Sequence, residues 1–138
     1  MRTRASAATI PAPTSTGHLA HPHLAGLWVA EREGQVLGMV GLLAEGEEAE
    51  VEPLVVARAE RGQGIGRALL AAAVAAARER GARFLSVCPV ARNAAAIGLF
   101  YEAGFRLLGQ VELFQDLDPS SPRRWVDGVT IQGRRLGF

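Results

Sequence analysis

The apolar positions of this chain change their period several times, and each change predicts an element. Leu27-Trp28-Val29-Ala30-Glu31 and Gln35 to Leu43 are short apolar runs on either side of Glu33-Gly34. They predict two strands joined by a tight hairpin turn. After an acidic turn, Glu45 to Glu48, the stretch Glu50 to Val56 alternates and predicts a third strand, antiparallel to the second. The period then lengthens. Leu69, Leu70, Ala73, Val74 and Ala77 share one side of a helix from about Gly64 to Arg80, which Gly81 closes.

Arg83 to Cys88 predicts a strand parallel to Glu50–Val56 through a right-handed crossover, and Pro89 ends its ladder on one side. Asn93 suits the N-cap of a second helix, Ala94 to Ala103, closed by Gly104. Phe105 to Gln115 and Trp125 to Ile131 predict two last strands, antiparallel to each other across the loop Asp118 to Pro122. The order β-β-β-α-β-α-β-β predicts an α/β (α+β) sheet of mixed direction. Residues 1–24 are rich in Ala, Ser, Thr and Pro without a period, and predict a disordered or extended arm ahead of a domain over 25–138.

Composition narrows the function. With 49% apolar and 21% charged residues in 138, the chain reads as one globular domain. A net charge of +1 argues against nucleic acid as the main partner. No apolar run approaches the roughly 20 residues of a membrane span, and the N-terminus lacks the apolar region of a secretory signal. The single cysteine, Cys88, fits a reducing, cytoplasmic setting. His18, His21 and His23 are metal ligands by type only. No cysteine or carboxylate stands near them in the sequence, so no metal is expected.

The chemistry lies between the third strand and the first helix, in R-G-Q-G-I-G-R, Arg61 to Arg67. Glycines at 62, 64 and 66 open a helix N-terminus, where backbone N–H groups lack internal partners and the helix dipole favours an anion. A phosphate or diphosphate is the natural guest. A P-loop requires a lysine, and all fifteen basic residues here are arginine. The dinucleotide pattern G-x-G-x-x-G fails from Gly62, where the sixth residue is Arg67, and from Gly64, where it is Leu69.

The remaining pattern, R-x-x-G-x-G at Arg61, Gly64 and Gly66, resembles the acyl-coenzyme A loop of the GCN5-related N-acetyltransferases (GNAT family). N-A-A-A-I-G-L-F-Y-E-A-G-F, Asn93 to Phe105, resembles the second signature of the same family, one helix and one strand further on. The resemblance implies a mixed, mostly antiparallel sheet with helices on both faces, and two parallel strands that splay to admit a pantetheine arm. It implies that acetyl-coenzyme A is the acyl donor and an amine the acceptor. Leu54, Val55 and Val56 would offer backbone groups to the arm. The N–H groups of Gln63, Gly64, Ile65, Gly66 and Arg67 would hold the diphosphate, with charge from Arg61 and Arg67. Asn93 would also bond the arm, although its capping role alone explains it, and Phe100 and Tyr101 would complete the coenzyme-binding set.

Amine attack on a thioester needs a base, an oxyanion donor and an acid for the leaving thiolate. The Val56 N–H suits the oxyanion. By the family pattern F-Y-x-x-x-G-F, Tyr101 faces the sulfur. A phenol, whose ordinary pKa is near ~10, stays protonated at neutral pH and can donate. The competing reading packs Tyr101 in the core beside Ile97. Glu48, Glu50 and Glu52 share one strand face, which Leu54 and Val56 continue unless a bulge intervenes. Glu52 is the preferred base and Glu50 the second choice, acting through water. If the three line the acceptor cleft, they would attract a cationic amine.

The sequence departs from the family in one respect. Members usually carry a strand and two helices before the first hairpin, and here that region is short and not amphipathic. A silent acyl-coenzyme A-binding or regulatory module is therefore the rival to an active acetyltransferase. The C-terminal strands, V-E-L-F-Q-D-L-D and R-W-V-D-G-V-T-I-Q-G-R-R-L, are apolar enough to pair across a homodimer. Arg123, Arg124, Arg134 and Arg135 make that end basic.

Overall fold

The computed structural model describes residues 2–5, 22–118, 120 and 124–138. His18, His21, Pro119, Ser121, Pro122 and Arg123 lie outside the described residues. The elements are β1 (Arg2–Ala5), β2 (Leu24–Arg32), β3 (Gln35–Glu45), β4 (Glu48–Val56), α1 (Ile65–Glu79), β5 (Phe84–Ser86), α2 (Ala94–Glu102), β6 (Asp127–Ile131) and β7 (Arg134–Gly137). A single 3-10 turn, Arg58–Glu60, leads from β4 towards α1. β1 to β5 form a five-stranded sheet in chain order, antiparallel except for the last pair, β4 and β5.

The turn between β2 and β3 has positive φ at both central residues, Glu33 (51°) and Gly34 (80°). That twist matches the strands it joins. Two irregularities then shape the sheet. Ala30 pairs with Gly38 while Glu31 pairs with Val36, so Leu37 is extra in β3. Val40 pairs with Leu54 while Leu42 pairs with Val51, so Glu52 and Pro53 together oppose Gly41. The second bulge leaves no room for a side chain at 41, where a Cβ would press into the Glu52 carbonyl.

The core lies between the sheet and α1. Ile65, Leu69, Leu70 and Ala73 of α1 are buried against Ala30, Leu37, Val40 and Val51. Leu42, Ala49 and Ala77 form a second cluster, and Trp28 packs on both. Leu99 and Phe100 of α2 meet the first cluster. The expected helix cover on both faces is thus met on one face among the described residues.

Three expectations are corrected. The arm 1–24 is not without regular structure: Arg2–Ala5 is an edge strand paired with Trp28–Glu31, and β2 already begins at Leu24. Edge pairing needs only backbone groups, so the side-chain pattern of R-T-R-A does not reveal it. Phe105 to Gln115 forms no strand, and the outer edge of β5 has no neighbour among the described residues. The last strand pairs instead with β7, through a turn whose central residues Gln132 (50°) and Gly133 (72°) both have positive φ. A two-residue closure costs less chain entropy than closing the nine residues between Gln115 and Trp125. Gln132-Gly133 carries the same kind of turn signal as Glu33-Gly34.

Candidate functional site

β4 and β5 pair only at Glu48–Phe84, Ala49–Leu85 and Glu50–Ser86. The Ser86 hydroxyl donates to the Ala49 carbonyl at 3.3 Å where the pairing ends. Beyond that point β4 continues to Val56 without β5 beside it. Both chains have a reason to part. The bulge at Glu52 and Pro53 bends β4, and neither Pro53 nor Pro89 carries an N–H for a ladder.

The alternation of an antiparallel ladder decides which groups face the gap. Ala57 N–H donates to the Leu37 carbonyl at 2.8 Å, so that pair is bonded to β3. Val56 opposite Gly38 and Leu54 opposite Val40 are then the positions whose N–H and C=O point away from β3, into the gap. Val55, opposite Met39, turns its backbone to β3. Of the expected trio, Leu54 and Val56 therefore carry outward groups and Val55 does not.

The glycine loop follows directly. Gly62 (φ +78°) and Gly64 (φ +82°) are in the left-handed region, and a Cβ on either would meet nothing within 4 Å. Gly64 is the N-cap of α1, without a side-chain cap bond, and no acidic residue stands in the first turn. The first intrahelical backbone bond is Ala68 N–H to Gly64 O, 3.0 Å. The amides of Ile65, Gly66 and Arg67 precede it, at the positive end of the helix dipole. An open cradle of this kind fits a diphosphate. Gly66 serves packing instead. A Cβ there would lie 3.4 Å from Leu99 Cδ2 and 3.6 Å from Val56 Cγ2, where α1, α2 and β4 converge.

Three arginines around the loop, Arg32, Arg61 and Arg67, are engaged. Arg32 donates to Glu60 (3.3 Å) and to the Gln63 side chain (3.4 Å), tying the loop to the end of β2. Arg61 Nε donates to the Val56 carbonyl at 3.1 Å. Arg67 pairs with Glu102 at 2.7 Å, joining the first turn of α1 to the end of α2. Sequence reasoning missed Arg32, Glu102 and Arg106. Their roles rest on contacts across some thirty residues or past a helix end, which local pattern does not encode.

On α2, Asn93 accepts the Ala96 N–H at 3.1 Å, the expected cap. Phe100 packs on the core cluster and edge-on to Phe105, 5.8 Å between centroids. Tyr101 is 55% exposed, so the competing placement in the core fails. Arg106 lies over its ring. The bulge also decides the acidic face. Val51, Leu54 and Val56 all pack towards α1, which turns the partly buried Glu50 and Glu52 to the opposite face. Glu48 is exposed. His23 lies 3.9 Å from Glu45, and among the described residues no three His, Cys, Asp or Glu side chains gather as a metal site. No helix among the described residues is long and apolar enough to cross a membrane.

Residues 4–105 match the sequence model of the Acetyltransferase (GNAT) family. N-acetyltransferase 8 of Rattus norvegicus is 33% identical over an aligned length of 98 residues, with 67% of this chain and 43% of that protein covered. The chain thus spans less than half the length of this curated relative. Among solved structures, a ribosomal-protein-alanine N-acetyltransferase from Brucella melitensis is 39% identical, with a TM-score of 0.56 over 61% of this chain and 55% of that one. An aminoglycoside N-acetyltransferase in complex with CoA has a TM-score of 0.60 over 71% of this chain and 79% of that one. At 18% identity, that second likeness speaks for the fold alone.

Proposed function

The chain belongs to the acetyltransferase (GNAT) family, and from that premise we propose that it transfers an acetyl group from acetyl-coenzyme A to a primary amine, by direct attack in a ternary complex. The observation that carries this proposal is the parting of β4 from β5 directly ahead of the open glycine loop. A gap with outward backbone groups suits the pantetheine arm, and a cradle of amides at its mouth suits the diphosphate.

In this reading the amides from Gln63 to Arg67 hold the diphosphate, and Leu54 and Val56 bond the arm. Asn93 keeps the start of α2 in place. The amine nitrogen bonds to the thioester carbonyl carbon, and the Val56 N–H steadies the oxyanion. The carbon–sulfur bond then breaks, and Tyr101 gives its proton to the departing thiolate. Glu52, or Glu50 beside it, first takes a proton from the substrate ammonium through water, which frees the nitrogen lone pair for attack. The acidic strand face favours a cationic acceptor. The exposed, unpaired Cys88 fits a cytoplasmic setting, and the apolar C-terminal segments fit a homodimer.

A thiol-release assay over a panel of amines tests this. Acetyl-coenzyme A with at least one amine should release thiol well above the amine-free rate. Tight coenzyme binding with no release for any amine would overturn the transferase and leave a binding module.

A further inference from the structure

The contact between Arg61 and Val56 plays no part in the transfer chemistry, and the role inferred for it rests on the coenzyme reading of that gap. Val56 ends β4, and its carbonyl points into the gap. A carbonyl there is the acceptor that an amide N–H of an entering pantetheine arm would seek. Arg61 already fills that role, its Nε donating at 3.1 Å. Two other arginines near the loop are paired with carboxylates, Arg32 with Glu60 and Arg67 with Glu102. Arg61 is held by a main-chain carbonyl, and it directly precedes Gly62 at the mouth of the cradle.

We infer that Arg61 is a placeholder that makes the site selective for the whole coenzyme over its arm alone. Before binding, it occupies the Val56 carbonyl. An entering arm takes over that carbonyl and displaces the guanidinium. A ligand that also carries a diphosphate gives the displaced guanidinium a new, charge-assisted partner beside Gly62 and Gly64. A ligand with the arm but no phosphates must displace Arg61 with nothing to offer in return. Arg61 is thus a specificity-determining residue, acting through the strand end as well as through its charge.

The test compares two probes, pantetheine and coenzyme A, by titration calorimetry on the native chain and on Arg61→Met. Methionine keeps an unbranched stem and removes every donor. Arg61→Met should bind pantetheine tighter by about threefold or more, because Val56 is freed, and coenzyme A weaker by about tenfold, because one charge-assisted contact is lost. These opposite signs are the signature of a placeholder. Arg61→Lys keeps the charge, and should also bind pantetheine tighter while losing less coenzyme affinity than Arg61→Met. Pantetheine affinity that is unchanged, as for a plain phosphate ligand, or lower, as for a structural brace, would overturn the inference. A native chain that binds neither probe would instead overturn the coenzyme reading itself, before any variant is made.

Discussion

Arg106 lies over the ring of Tyr101, its guanidinium carbon 4.7 Å from the ring centroid, and its Nε donates to the Tyr101 carbonyl at 3.5 Å. The two contacts tie the exposed phenol at the end of α2 to the chain beyond Gly104. An exposed cation–π contact is worth about 0.5–1 kcal/mol. Arg106→Met should therefore lower kcat about two- to fivefold while leaving the coenzyme Kd unchanged. Steady-state kinetics beside calorimetry checks both, and a loss of coenzyme affinity would place Arg106 in binding instead.

Tyr101→Phe removes the proposed acid and keeps the ring that Arg106 covers. General acid catalysis contributes about 10²–10⁴-fold. Turnover should fall by an amount in that range, with coenzyme affinity little changed. Single-turnover measurement isolates the chemical step. A rate equal to that of the native chain would remove Tyr101 from the mechanism.

Gly64→Glu should abolish coenzyme binding. At φ +82° a side chain costs about 1–2 kcal/mol, and the carboxylate would enter the open space over the cradle. A negative charge near a helix N-terminus is itself favourable to the helix, so the fold should survive. The native chain's melting temperature should rise on adding coenzyme A, and the variant's should not.

Glu52→Gln and Glu50→Gln separate the two candidate bases. The base variant should lose about 10²-fold or more in kcat, and the other should change chiefly the KM for the amine. If both keep full kcat, neither carboxylate is the base.

Leu69→Ala tests the packing that holds α1 against the sheet. Leu69 is fully buried, and its Cδ1 sits beside Gly38, where even a Cβ would approach it to 3.1 Å. The variant should lose about 2–5 kcal/mol in urea unfolding. A loss under about 1 kcal/mol would mean that this interface repacks freely.

Much of the site was legible because its signals are local. Glycines at 62, 64 and 66 stand immediately before a helical period, and Asn93 precedes another, so both helix starts could be placed from neighbours in the chain. The facing of the backbone at Val55 was not legible, because it follows from the pairing of Ala57 with Leu37. The acidic face was half legible. The alternation of Glu48, Glu50 and Glu52 shows at once, but the extra residue that separates them from Leu54 and Val56 is defined only opposite Gly41. The C-terminal segment misled because apolar residues favour a strand without naming its partner. Leu107 is 93% exposed and Leu117 83%, and neither belongs to a ladder.

The pair Glu52-Pro53 opposite Gly41 works as a parity switch for everything downstream. Pair those two residues one-to-one with β3, without the bulge, and the strand's tail rotates half a turn: Leu54 and Val56 swing their side chains away from α1, and their amides close against β3. A coenzyme groove and a hydrophobic core are thus phased by a single added peptide unit, and a slip of one residue in this pairing would misplace both at once.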